Sequence, residues 1–181
     1  MGADRQGLEE IARAAKAAGR GPPPVHLWNP AHCGTIDIVI KANGQWFHEG
    51  SPIGREPLVR LFASVLRLDP DGYVLVTPIE KLSIVVEDAP FVAVAVDIAP
   101  DRLTFTTNVG DVVEAGPEHG LRVAAGPDGA PRPYLHVRRG LEALIARPVF
   151  YELAAVASPH PDTGAPAVAS NGVWYSLDAP A

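Results

Sequence analysis

Ile36, Ile38 and Ile40 alternate with Asp37, Val39 and Lys41, and the run stops at Asn43-Gly44. Period-two alternation is the mark of a half-buried strand, and Asn-Gly is the strongest short hairpin signal, because a type I′ turn needs positive φ at both central residues. The pattern predicts an antiparallel hairpin returning through Gln45-Trp46-Phe47-His48. A two-residue turn pairs Ala42 with Gln45, Lys41 with Trp46, Ile40 with Phe47 and Val39 with His48. Ile36, Ile38, Ile40 and Phe47 then form the core face, while Asp37, Lys41, Trp46 and His48 share the other. A large aromatic among three ionisable groups reads as a surface that grips a ligand or partner by stacking and hydrogen bonds. The competing reading is that a second domain covers this face, with Trp46 as an interdomain plug.

The hairpin has an echo. Gly44 and Gly50 bracket five residues, and Gly110 and Gly116 bracket five more at the same spacing. Each region runs on into a Leu-rich segment preceded by arginine: Arg55 before Leu58, and Arg138 and Arg139 before Leu141. This predicts an α+β fold of two similar hairpin–helix–strand units made by internal duplication, with a ligand or partner site at the face between them. The expected domains are a helix and Pro-rich linker over 1–24, an α+β domain over 25–80 and a second over 81–181.

Between these landmarks, Leu8, Ile11, Ala12 and Ala15 fall at helical spacing before Gly19, and Gly21-Pro22-Pro23-Pro24 reads as an extended linker. Helices are expected over 57–66 and 141–146, the second ended by Pro148. Strands are expected over 73–76, 82–86, 91–98, 103–107, 112–113, 150–156 and 173–177. Residues 69–72 read as a turn. Residues 116–133 read as a loop with a short strand at 121–123, and 159–166 as another loop.

The 181-residue chain is 47% hydrophobic, which supplies a core, and its net charge of −6 opposes a nucleic-acid backbone. One cysteine excludes an internal disulfide framework and points to a reducing compartment. No apolar run is long enough for a membrane span, and the first residues do not read as a signal peptide, so the expectation is a cytoplasmic protein.

The search for chemistry is mostly subtractive. Cys33 adjoins His32, with His26 and His48 near in sequence, but the paired ligand spacings of a zinc site are missing. Glu118-His119 is a general base with an orienting carboxylate on paper, yet no nucleophile elbow exists for it to serve. Glu87 and Asp88 are chain neighbours that face opposite ways in a strand. The common phosphate-binding glycine loops are missing. Arg55 and Arg138 precede the two expected helices, where an arginine would reinforce anion binding at a helix start. The candidate binding residues are therefore Asp37, Lys41, Trp46, His48, Arg55 and Arg138, with no metal and no cofactor.

Trp28-Asn29-Pro30, Cys33-Gly34, Asp37, Gly44-Gln45-Trp46-Phe47-His48, Ser51-Pro52-Ile53 and Arg55 together resemble the bacterial family called domain of unknown function 1285. Gly72-Tyr73, Thr77-Pro78, Glu80-Lys81, Glu87-Asp88-Ala89-Pro90-Phe91 and the segment from Arg138 to Tyr151 extend the likeness over roughly residues 25–157. The resemblance implies a duplicated α+β fold, a C-terminal half like a pleckstrin-homology domain, a binding site where the halves meet and a role in signal transduction. It brings no enzyme activity. The expected function is thus a bacterial binding or regulatory protein for a small anionic ligand or a protein partner. The alternative is an enzyme with a site built from His48, Asp37 and Glu80, and a weaker one is nucleic-acid contact through the arginines.

Overall fold

The computed structural model describes residues 3–17 and 22–180, without the side chains of residues 3–6 and Cys33. The expectations at Gly19, Gly21 and the Cys33 side chain lie outside the described residues. The chain divides into two units, Met1–Asp88 and Ala89–Ala181.

The first unit holds helix α1 (Ala3–Ala17), a 3-10 turn at Val25–Leu27, and strands β1 (His32–Ile40), β2 (Trp46–His48) and β3 (Ser51–Pro52). Helix α2 (Glu56–Ser64) follows, then strands β4 (Leu66–Asp69), β5 (Gly72–Val76) and β6 (Lys81–Val86). The six strands form one sheet in the order β3-β2-β1-β6-β5-β4. Two antiparallel meanders thus meet at a parallel β1–β6 pair. Strand β6 is an interior member of this sheet, which is why the unit ends at Asp88 rather than at the expected residue 80. Ile36, Ile38, Ile40, Leu75, Leu82 and Ile84 are buried in the sheet, as are Ile11 of α1 and Phe62 of α2. Pro57 sits in the first turn of α2, where its missing N–H costs nothing.

The second unit repeats the plan. Its strands are β7 (Phe91–Ala99), β8 (Arg102–Thr107), β9 (Val112–Glu114), β10 (Leu121–Ala125), β11 (Pro131–Arg138) and β12 (Leu141–Ile145). Read from β9, their order is β9-β8-β7-β12-β11-β10, the same sequence of places as in the first sheet, again with first and last strands parallel. Helix α3 (Arg147–Ala155) comes after the sheet, and a smaller sheet of β13 (Ser158–Pro159), β14 (Pro166–Ser170) and β15 (Val173–Ser176) closes the unit. The fold is α+β and built from a duplicated unit. The two copies differ in where the helix falls: between the meanders in the first, after them in the second.

Several expected elements change kind. Leu141–Ile145 is a strand, because Leu141, Ala143 and Ile145 are buried while Glu142 and Leu144 are less so, a period of two. Pro148 opens α3 instead of ending a helix, so Phe150 to Ala155 is helical rather than extended. Strand β11 runs through what reads as a loop. Its prolines survive there because β12 pairs with β11 only from Tyr134 onward, leaving one edge of β11 open at Pro131 and Pro133. Strands β4 and β14 also emerge from stretches without a strand signal.

The first hairpin corrects the register. Lys41 N–H donates to Gln45 O at 2.8 Å and Gly44 N–H to Lys41 O at 2.9 Å, with Gly44 at φ 84°. This is a three-residue loop with a left-handed glycine, not a two-residue turn. The β8–β9 hairpin has the same construction: Thr107 N–H to Asp111 O at 2.8 Å, Gly110 N–H to Thr107 O at 3.0 Å, and Gly110 at φ 91°. One extra loop residue shifts every partner. Ile40 faces Trp46, Val39 faces Phe47 and Ile38 faces His48. Because side chains alternate, Trp46 and His48 move to the core face and Phe47 leaves it.

Candidate functional site

The structure scatters the sequence-derived candidates. Trp46 is 2% exposed and stacks on Phe62 of its own unit with ring centroids 6.4 Å apart. His48 lies on the same face with Nε2 buried and without a hydrogen-bond partner among the described residues, as is Trp46 Nε1. Asp37 is exposed on the opposite face, so it and His48 do not form an acid–base pair. Lys41 is committed to Glu87 at 2.8 Å, with Nζ 5.7 Å from the Phe47 ring centroid. Glu87 also accepts from Ala42 N–H, which pins the hairpin loop, and the Lys41 bond holds its carboxyl below the usual range. Arg55 is exposed at the start of α2 and makes no side-chain cap. Glu80, the third member of the enzyme reading, has Oε2 buried and without a hydrogen-bond partner among the described residues; burial, then the charge of Glu10, pushes its carboxyl up.

Arg138 behaves differently. No helix follows it, which removes the expected helix-start anion site: it ends β11 beside the left-handed Arg139 and Gly140. The pairing of β11 with β12 is irregular between His136 and Arg138, and a bulge of this kind re-aims a side chain. Arg138 Nη1 donates to Asp111 Oδ2 at 2.6 Å, and the guanidinium carbon lies 4.9 Å from the Phe91 ring centroid. Asp111 precedes β9, one edge of the sheet, whereas β11 is next to the other edge. The second sheet therefore curls until these distant strands meet across an ion pair.

Inside the curl lies a groove of about 680 Å³. Strand β9 forms one wall with Asp111, Val112 and Glu114; Val137 and Arg138 form another; the β9–β10 link supplies Glu118 and His119. Val112 is 68% exposed. The floor is held rigidly. Ser170 Oγ donates to Ala115 O at 2.7 Å and accepts from Leu103 N–H at 2.9 Å, Asn171 Nδ2 donates to Ala115 O at 2.8 Å, and Tyr175 Oη donates to Gly116 O at 2.8 Å. The rim is latched by two histidines whose rings stack 5.9 Å apart. His136 Nδ1 donates to Glu118 O at 2.8 Å, leaving Nε2 to accept from Gly140 N–H at 3.0 Å. His119 Nδ1 reaches His136 O at 3.2 Å.

The first unit has a smaller recess of about 400 Å³ near Asp69, Lys81, His32 and Ser83. Its charges serve the fold. Arg67 grips Asp69 through Nε at 2.6 Å and Nη2 at 3.0 Å, Lys81 adds a bond at 3.0 Å, and Arg67 Nη1 ties down the carbonyls of Val25 and Trp28. Among the described residues no cluster of three metal-ligating side chains occurs, and no helix is long and apolar enough to cross a membrane.

Two family models tile the chain: the N-terminal domain of the domain of unknown function DUF1285 over residues 23–89, and the C-terminal domain of the same family over 90–177. The chain belongs to the DUF1285 family. The family boundary falls beside the structural one at Asp88. A crystal structure of a DUF1285 family protein from Silicibacter pomeroyi DSS-3 is 47% identical, with a TM-score of 0.88 over 95% of this chain and 94% of that one. A second DUF1285 structure, from Shewanella baltica OS155, is 30% identical, with a TM-score of 0.51 over 64% of this chain and 87% of that one. Among curated proteins there is no match. Of the residues at the groove and its rim, the sequence offers Arg138 as a binding candidate, raises Glu118-His119 only as an acid–base pair with nothing to serve, and passes over Asp111 and His136. Nothing in local spacing marks them, because sheet curl and a bulge bring them together.

Proposed function

We propose that this DUF1285 protein is a binding module whose recognition site is the groove of the C-terminal unit. The observation that carries the reading is the built character of the groove. Arg138 is fixed by Asp111 and Phe91, the link is held by Ser170, Asn171 and Tyr175, and the rim is latched by His119 and His136. A site preorganised in this way loses little entropy when it is filled. Its volume falls within the ordinary range for ligand pockets. A regulatory role fits such a module, because binding alone is enough to report a signal. The two antiparallel meanders followed by α3 support the likeness of this half to a pleckstrin-homology domain, which belongs to the same proposal.

The test is a melting-temperature panel of short peptides, amines, carboxylates and nucleotides against the whole chain and two groove variants, Glu118→Ala and His119→Ala. A ligand at 100 times its Kd adds about 2.7 kcal/mol. A shift that the variants diminish supports the groove. A shift that both variants leave intact moves binding elsewhere and overturns the reading.

A further inference from the structure

We infer that the groove's occupant is an extended, basic peptide segment that adds a strand to the free edge of β9; this rests on the binding reading above. Strand β9 is the last strand on its side of the sheet. Its ladder to β8 is bonded at Thr107–Asp111, where Thr107 N–H donates to Asp111 O, and again where Ala115 N–H donates to Leu103 O. In an antiparallel pair bonded and non-bonded partners alternate, so Val113 also points its backbone groups at β8. Val112 and Glu114 therefore turn their N–H and C=O groups the other way, along the groove. Two donors and two acceptors at strand spacing are the template that an added strand recognises.

Charge selects the occupant. Asp111, Glu114 and Glu118 line the groove against one guanidinium, that of Arg138. Arg138 is already paired with Asp111. Glu114 reaches only an exposed Arg102 at 3.7 Å, and Glu118 has no side-chain partner among the described residues. Lysine or arginine at alternate positions of an incoming strand would meet these carboxylates. A second copy of β9 would instead bring its own Asp111 and Glu114 to an edge that is already acidic, and charge on a short edge is a device that opposes self-pairing. The edge is guarded against itself and open to a strand of opposite sign.

The experiment uses the whole chain and a fluorescein-labelled decapeptide alternating lysine and valine. Its controls are the glutamate–valine counterpart and a lysine–valine peptide N-methylated at alternate residues. Val112→Pro deletes one outward N–H and leaves the β8 ladder intact, which edge strands tolerate; circular dichroism verifies its fold. The expected results are binding of the lysine peptide at least about tenfold tighter than either control or than Val112→Pro, with slowed hydrogen exchange at Val112 and Glu114. Equal binding of the N-methylated peptide, or binding unchanged in Val112→Pro, overturns strand addition. If small molecules bind through the groove but no peptide does, this inference fails while the binding reading stands; if neither binds, both fail.

Discussion

Arg138 ends β11 and Asp111 precedes β9, strands far apart in sheet order, yet their side chains meet at 2.6 Å, with the Arg138 guanidinium over the Phe91 ring. One arginine thus closes the curled end of the second unit. Arg138→Ala removes a charge-assisted hydrogen bond and a cation–π contact, together worth about 2–3 kcal/mol at this half-buried site. Arg138→Lys recovers only part, because an ammonium cannot lie flat on the ring. Urea unfolding of the three proteins measures the ranking; a lysine variant as weak as alanine would show that stacking, not charge, holds the strands.

Trp46 fills the space between β2 and Phe62. Trp46→Ala should cost about 3–5 kcal/mol, the ordinary range for deleting a buried aromatic. Loss of ligand binding in that variant would be a folding effect, so thermal unfolding belongs beside any binding assay of it.

Asp69 supplies an acid-sensitive contact. The Arg67 hydrogen bond, opposed by burial and aided by Lys81, holds its carboxyl below the ordinary value of 3.8. A depressed acid stabilises the fold above its unfolded value, and that contribution is lost as pH falls through the folded value. Asp69→Asn should therefore cost about 1.5–3 kcal/mol at neutral pH. The gap to wild type should narrow below pH 3.8. Melting curves across pH for both proteins check the convergence.

Glu80 has the opposite sign. Burial and Glu10 raise its carboxyl above the ordinary 4.5, so the ionised form weakens the fold above the folded value and the cost vanishes below the unfolded one. Glu80→Gln should raise the melting temperature at neutral pH, and the gain should disappear under acid. A variant that melts lower at pH 7 would mean that the carboxylate has a stabilising partner.

Gly44 and Gly110 hold φ at 84° and 91° in matched loops. Alanine at either position should cost about 1–2 kcal/mol. Equal losses in unfolding experiments are expected from equal geometry.

The two hairpins with three-residue loops are legible as hairpins because alternation at Ile36, Ile38 and Ile40, and the paired glycines, are local signals. The face assignments are not. Asn43-Gly44 marks a turn, but the choice between two and three loop residues is made by how the strands pair, and one residue decides whether Trp46 is buried or bare. Leu141–Ile145 misled for a related reason: leucine and alanine favour helices, and burial against β7 overrode that preference. The sequence marks Arg138 only as an arginine before an expected helix, and β12 stands there instead. The true setting of Arg138 depends on contacts with Asp111 and Phe91 that only the curled sheet creates.

In the first unit the third and fourth strands are joined through α2, and its Phe62 seals Trp46. In the second the same junction is the link over 115–120, and that link borders the groove. The two copies thus differ at a matched place. One carries a stopper at this junction and the other does not; on the binding reading proposed above, the first answers to selection for folding and the second to selection for recognition. Substitutions at matched positions should accordingly leave different marks among relatives, uniform apolar replacement around α2 and variable chemistry around the link.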